Sequence, residues 1–242
     1  MLGLCNRPHI TEINLEEVVA DILENKPKAI QDDNFINNLY AEIAADTKER
    51  QTLTAVHVTD VHIDFEYEIG TLENCNSYGG CCRTGSGYPS AGELGAQKWG
   101  SLYCDLPMVT FRDMLSFITE DMKPDIVFWT GDNTAHNVWD NTADETAIYT
   151  ITVTNMIKHA FKKHDITVYP IQGNHDTWVE EMQDFDAPGI NYEINSFMEY
   201  WEDWLDAEAM EEFAKYGFYS MDMKLANGKK LPNGSKLIAI NT

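Results

Sequence analysis

Three short blocks of this chain carry residues that could hold metal ions: Asp60-Val-His62, Gly131-Asp132-Asn133 and Gly173-Asn174-His175-Asp176. An Asp-x-His pair at the end of a strand can aim both side chains at one ion, because the residue between them points to the opposite face. The glycine before Asp132 lets the backbone turn sharply as it leaves a sheet. The Asp132 carboxylate can then bridge two cations, one oxygen each. Asn174 offers a neutral carbonyl oxygen. Carboxylate, imidazole and amide ligands together suit zinc, manganese or iron. Two such ions about 3.5–4 Å apart can hold a hydroxide between them and stabilise in-line attack at phosphorus. His175, next to Asn174, is placed to protonate a leaving alkoxide or to stabilise charge on the phosphoryl oxygens. Asp-x-His and Gly-Asp are each common on their own. The bland alternative makes these residues loop caps and surface or core histidines, and it has to explain all three blocks at once.

Each block closes a run that reads as a buried strand: residues 53–59, 125–130 and 166–171 are rich in β-branched and aromatic side chains. Helical spacing is predicted over 109–122, which Pro124 stops, and over about 143–164. A helix-rich insert covers about 191–215, and residues 236–240 read as a last strand. Strands alternating with helices predict an α/β fold with a mostly parallel sheet, and such sheets bind ligands at the carboxyl ends of their strands. Residues from about 11 to 48 read as two helices. The first carries Leu15, Val18, Val19, Ile22 and Leu23, and the second Phe35, Leu39 and Ile43. This region (residues 1–50) is expected to be an arm or linker, with the chemistry in 51–242.

The 242 residues include 17 Lys and Arg against 40 Asp and Glu, a net charge of −23. Such a chain repels nucleic acid. The sequence contains no apolar run of the ~18 residues that a membrane span requires. Its start lacks the basic head and apolar core of a secretory signal, which by itself argues for the cytosol. The cysteines argue otherwise. Cys75, Cys81, Cys82 and Cys104 crowd a Gly/Ser-rich stretch, as disulfides stapling a long loop in an oxidising compartment would. A zinc knuckle is the competing reading, weakened by the adjacency of Cys81 and Cys82. Cys5 is left over, and Asn233-Gly-Ser is a glycosylation sequon.

The three metal-competent blocks resemble those of calcineurin-like phosphoesterases. Within that superfamily, Cys75…Cys81-Cys82-Arg-Thr-Gly-Ser-Gly, Trp99-Gly and Cys104-Asp-Leu-Pro107 resemble the acid sphingomyelinase-like phosphodiesterases. So do Trp129-Thr-Gly-Asp-Asn-Thr-Ala-His136-Asn-Val-Trp139, Tyr169-Pro-Ile-Gln-Gly-Asn-His175 and Gly217-Phe-Tyr219. The resemblance runs from about residue 53 to 242 and implies a calcineurin-like metallophosphoesterase sandwich. It implies two divalent ions, zinc foremost, with Asp60 and His62 on the first, Asp132 bridging, and Asn174 on the second. It gives His136 and His175 contact with the phosphate and assistance to the leaving group; spacing alone assigns His136 nothing. It pairs Cys75 with Cys81 and Cys82 with Cys104.

The implied reaction is hydrolysis of sphingomyelin to ceramide and phosphocholine, by a secreted or lysosomal enzyme. Nucleotides or other soluble phosphoesters are the alternative substrates, and a non-catalytic remnant is the alternative from another class. Trp99, Trp139, Trp178, Trp201 and Trp204 are candidate anchors for a membrane surface, or core. In the family a saposin-like domain precedes the catalytic one, so residues 1–50 with Cys5 are expected to include its tail. The family also closes its metal site with three further histidines, which His9, His57, His159 and His164 do not match. The chain is therefore expected to stop short of the last strands of the domain. The second ion would keep Asp132 and Asn174, and the isolated chain would bind metal weakly and catalyse little.

Overall fold

A computed structural model of the chain describes residues 20, 24, 34–45, 52–75, 80–183, 192–232 and 234–241. Two compact units result, Met1–Gln51 and Thr52–Thr242. In the first, α1 (Asn34–Ala45) carries the helical spacing of Phe35, Leu39 and Ile43, with all its residues exposed. The helix read around Leu15 to Leu23, Cys5 and Asn233 lie outside the described residues.

The second unit is a mixed α/β fold built on a parallel sheet of β1 (Ala55–Val58), β4 (Ile126–Trp129) and β5 (Thr167–Pro170), in the order β1-β4-β5. The register places Val56, Val127 and Val168 side by side, and likewise Val58, Trp129 and Pro170. The alternate row is His57, Phe128 and Tyr169, which faces the other way because side chains alternate along a strand. Phe111 and Leu115 of α2 (Met108–Phe117) and Val153, Ile157 and Phe161 of α3 (Ala143–Phe161) complete the core with the valine row. α3 starts where the sequence says it should. Thr142 accepts from the Glu145 N–H while the Glu145 carboxylate accepts from the Thr142 N–H, a reciprocal cap.

The insert extends this core. α4 (Tyr192–Phe197), a 3-10 turn (Met198–Trp201) and α5 (Ala207–Tyr216) contribute Ile194, Phe197, Trp201 and Phe213, all at or below 1% exposure. Trp201 meets Trp129 edge-on at 5.7 Å and stacks on Phe213 at 5.1 Å. Burying each such side chain contributes roughly 1.5–3 kcal/mol.

Two elements differ from the sequence reading. The helix expected over 109–122 is regular to Phe117 and widens into a π turn over Ile118–Met122. There the Thr119 hydroxyl donates to the Leu115 and Ser116 carbonyls, competing with the backbone ladder, and Lys123 leaves the helix at φ 47°. The last strand, β7 (Lys236–Ala239), does not extend the parallel sheet. It pairs antiparallel with β6 (Tyr219–Asp222), a strand not read from the sequence. Among the described residues no helix separates the two, and Gly228 and Gly234 turn the chain back at positive φ. A parallel return would need a crossover.

Two tyrosines tie this hairpin to β5. The Tyr219 hydroxyl donates to the Pro170 carbonyl at 2.6 Å, and that of Tyr169 donates to the Lys224 carbonyl at 2.8 Å.

The cysteine-rich loop is closed by Cys75–Cys81 and Cys82–Cys104. Between the second pair, Arg83 is buried, with Nε 2.7 Å from Asp64 and Nη2 2.8 Å from the Asn137 side chain. The loop then returns to the sheet as β3 (Leu106–Pro107), a two-residue parallel partner of β2 (Ile63–Asp64).

Tyr219 is 1% exposed, so Tyr219→Phe strips a buried carbonyl of its donor. The substitution is expected to cost about 1–3 kcal/mol of unfolding free energy, measured by urea denaturation. A midpoint unchanged from the parent would mean that the hairpin is held by packing alone.

Candidate active site

The site lies where β1, β4 and β5 end. The hydrogen-bonding ladder does not stop with the strands: Asp60 N–H donates to the Gly131 carbonyl, His62 N–H to Asp132 and Ile63 N–H to Asn133, at 3.1, 3.0 and 2.9 Å. The first two blocks are therefore locked to one another through their backbones. Three of the candidate ligands take a conformation that residues with a Cβ avoid: φ is 53° at Asp60, 34° at His62 and 55° at Asp132. Such strain persists where surrounding contacts over-determine it, and it clusters at functional sites.

The second and third blocks are held by Asp176. Its buried carboxylate accepts from the Asp132, Asn133 and Gly173 backbone N–H groups and from the Asn133 side chain, at 2.8–2.9 Å. Burial pushes its pKa up to about 6, against the downward pull of those donors. The two loops touch with no room for a side chain. A Cβ on Gly173 would sit 2.1 Å from Asp132 Oδ1, and one on Gly131 would sit 2.1 Å from the Gly173 nitrogen.

Side chains converge above this frame. Asp60, His62 and Asp132 bring one ligand atom each to within 4.8 Å of one another. The Thr134 carbonyl accepts from His62 Nδ1 at 2.7 Å. Nε2 is thereby left as the free nitrogen, 3.9 Å from Asp60 Oδ1. Asp132 Oδ1 also accepts the His175 N–H at 2.9 Å. Asn174 opens the 3-10 turn that follows β5. Oxygen and imidazole donors with a ring nitrogen already assigned by its other hydrogen bond fit a divalent ion.

A second convergence shares His62. The rings of His62 and His136 lie 3.9 Å apart, His62 and His175 4.8 Å, and His136 and His175 5.0 Å. The Asp105 carboxylate sits 2.6 Å from His136 Nδ1. His175 Nδ1 is 2.5 Å from Glu180 Oε1, off the line of a hydrogen bond. Neighbouring imidazoles are driven in opposite directions. Burial lowers the pKa of His62, with His136 and His175 adding to the effect. The Asp105 hydrogen bond raises that of His136. The two rings are thereby pushed apart in acidity, the kind of separation from which acid and base roles can be drawn.

The structure thus brings together Asp60, His62, Asp132, His136 and His175, five of the six candidates; Asn174 stands in the adjoining turn, its side-chain amide 3.4 Å from Glu181 Oε1. His57 instead bonds Thr130 at 2.8 Å, and His164 lies 3.9 Å from Glu120. The tryptophans divide. Trp99, Trp139 and Trp178 are about half exposed, whereas Trp201 is core and Trp204 packs against it half-buried. Trp201 and Trp204 are therefore not surface anchors, because the insert folds its apolar face onto Trp129. Asp105, Asp176 and Glu180 had no role from the sequence, although the first two stand inside the blocks quoted above.

The chain matches the calcineurin-like phosphoesterase family over residues 53–234. It is 34% identical to sphingomyelin phosphodiesterase B of Dictyostelium discoideum, over 69% of this chain and 26% of that protein. It is 36% identical to human sphingomyelin phosphodiesterase, over 68% of this chain and 26% of that protein. It is 29% identical to human cyclic GMP-AMP phosphodiesterase SMPDL3A, over 77% and 37%. The chain spans about a quarter of the length of the two sphingomyelin phosphodiesterases.

Gly173→Ala is expected to destabilise the fold by about 1–3 kcal/mol and to displace Asp132, so that metal affinity falls with the melting temperature. Full metal affinity in the variant would disprove the contact. A pH effect follows from His136. A pKa raised on folding stabilises most below the ordinary value of 6.5, and that stabilisation is lost as pH rises through the raised value. In metal-free protein, the stability advantage of the parent over His136→Gln should be widest in acid and narrow in alkali. A gap independent of pH would contradict this.

Proposed function

This chain belongs to the calcineurin-like phosphoesterase family, and from that premise we propose that its site hydrolyses phosphodiesters, sphingomyelin to ceramide and phosphocholine foremost. The observation that carries the reading is the double convergence at the strand ends. A carboxylate–imidazole set able to hold a cation shares His62 with a cluster of three imidazoles able to meet a phosphate. Similarity to sphingomyelin phosphodiesterases over more than two thirds of the chain supports the choice of substrate. The similarity to a cyclic GMP-AMP phosphodiesterase supports soluble nucleotides as the alternative.

The residues that would hold the first ion are Asp60, His62 and Asp132. Asp132 and Asn174 would serve the second, with zinc as the proposed metal at both. Divalent ions bound there supply charge neutralisation at the phosphoryl oxygens and acidify water. The protein's own groups do the rest. Asp176 and the paired glycines hold Asp132 and Asn174 in place before substrate arrives, so little reorganisation is needed at the moment of reaction. His136, whose pKa the Asp105 hydrogen bond raises, donates a proton to the leaving alkoxide. His175 faces the same space and stabilises the phosphoryl oxygens.

Half-exposed Trp99, Trp139 and Trp178 are proposed to contact the lipid surface, where aromatic side chains with a polar edge sit well. A chain of net charge −23 favours a zwitterionic headgroup over nucleic acid. The two disulfides support an oxidising location, secreted or lysosomal.

The metal-loaded protein should cleave sphingomyelin in mixed micelles faster than ATP, and chelation should abolish both activities. The opposite ratio would transfer the assignment to nucleotides, and hydrolysis that survived chelation would end the metal-dependent reading. His136→Gln is expected to lower kcat on sphingomyelin by roughly 10²–10⁴-fold. Calorimetric titration of zinc into the 242-residue chain should show one ion bound much more tightly than the next, since the second set offers two donors where about four are usual. Two ions of equal affinity would refute that ligand assignment.

A further inference from the structure

We propose that Asp105 is a positioning residue for His136, one that commits the Nε2 edge of that ring to the substrate. The inference rests on the reading of His136 as a substrate-facing group. The Asp105 carboxylate grips His136 twice: Oδ1 lies 2.6 Å from ring Nδ1, and Oδ2 accepts the His136 backbone N–H at 2.7 Å. One such bond would leave the ring free to tilt about it. Two bonds, to the backbone and the ring of the same residue, fix the side-chain torsions together. With Nδ1 donating to a carboxylate, a neutral ring has its lone pair at Nε2 and a charged ring its second N–H there, so substrate meets one edge in either state.

Asp105 is itself held on both sides. Cys104 before it is bonded to Cys82. Leu106 after it donates its N–H to the His62 carbonyl at 3.0 Å and pairs with Ile63. The segment that carries Asp105 is therefore fixed to the backbone of His62, whose ring lies 3.9 Å from that of His136. Asp105 is 8% exposed, so water does not compete for its oxygens. In this arrangement the disulfide-closed loop sets the distance between a metal-ligand candidate and the group beside it.

The test compares metal-loaded parent, Asp105→Asn and Asp105→Glu. An amide has one acceptor oxygen where the carboxylate has two, so Asp105→Asn, at nearly the same volume, either loses one of the two contacts or turns its NH2 toward a bare Nδ1 and holds the ring in the opposite tautomer. On an alkyl phosphodiester, Asp105→Asn is expected to lose roughly 10–100-fold in kcat with little change in KM. On a 4-nitrophenyl ester, whose leaving group needs no proton, the loss should be markedly smaller, and Asp105→Glu should recover part of the alkyl-ester rate. An unchanged kcat, or equal losses on both esters, would overturn the proposal. A second readout needs no turnover. Nitrogen-15 histidine spectra of metal-free parent, recorded at alkaline pH, should show His136 carrying its proton on Nδ1. A proton on Nε2 with Nδ1 bare would overturn the proposal even if Asp105→Asn failed to fold. Where turnover by the parent is too slow to compare, this spectrum decides the role of Asp105 independently of the phosphodiesterase reading.

Discussion

The buried carboxylate of Asp176 is the constraint on which the site depends. Three backbone N–H groups and one side-chain amide, drawn from the loops after β4 and β5, point at its two oxygens. An isolated carboxylate would not tolerate such burial, and these donors are what make it tolerable. In return it fixes how the Asp132 loop approaches the Asn174 loop, at a separation that excludes any side chain between Gly131 and Gly173. The left-handed conformations of Asp60, His62 and Asp132 become sustainable because the ladder continues past the strands and leaves these residues no alternative.

A second frame approaches from the cysteine-rich loop. Buried Arg83 joins Asp64 to Asn137, the residue after His136. A buried ion pair of this kind contributes little net stability once the cost of desolvation is counted, and its value here is in registering one loop against another. The same loop delivers Asp105. The parallel sheet supplies the metal-ligand candidates, and the stapled loop supplies the partner of the histidine beside them. His62 stands at the junction, bonded through its own carbonyl to one frame and through its N–H to the other.

Much of this was legible in the sequence. β1, β4 and β5 announced themselves because each is a β-branched or aromatic run closed by polar residues, and five site residues followed from where those runs end, whereas His136 came only from the family resemblance. The start of α3 was visible in Thr142 and Glu145, a cap that acts over three positions. What stayed hidden depends on partners far along the chain. Asp105 acquires its meaning from a residue 31 positions away, and Asp176 from one 44 positions away. β2 and β3 are two residues each, too short to show any periodicity. β6 alternates buried and exposed residues over Tyr219–Asp222, but four residues are a weak signal without the partner that makes them a strand.

The order of the parallel sheet bears on how the chain reaches its fold. β1 pairs with β4, more than 65 residues further on, and the cysteine-rich loop lies between them. Contacts so distant in sequence close slowly, because chain entropy must be lost before any native pairing compensates for it. The Cys82–Cys104 bond spans 22 positions and can form before β4 is in place. Once oxidised, it shortens the path that joins β1 to β4 and presents β3 to β2 as a local foothold. The disulfide therefore acts on the folding route as well as on the finished site, giving an otherwise non-local sheet a nearby place to begin.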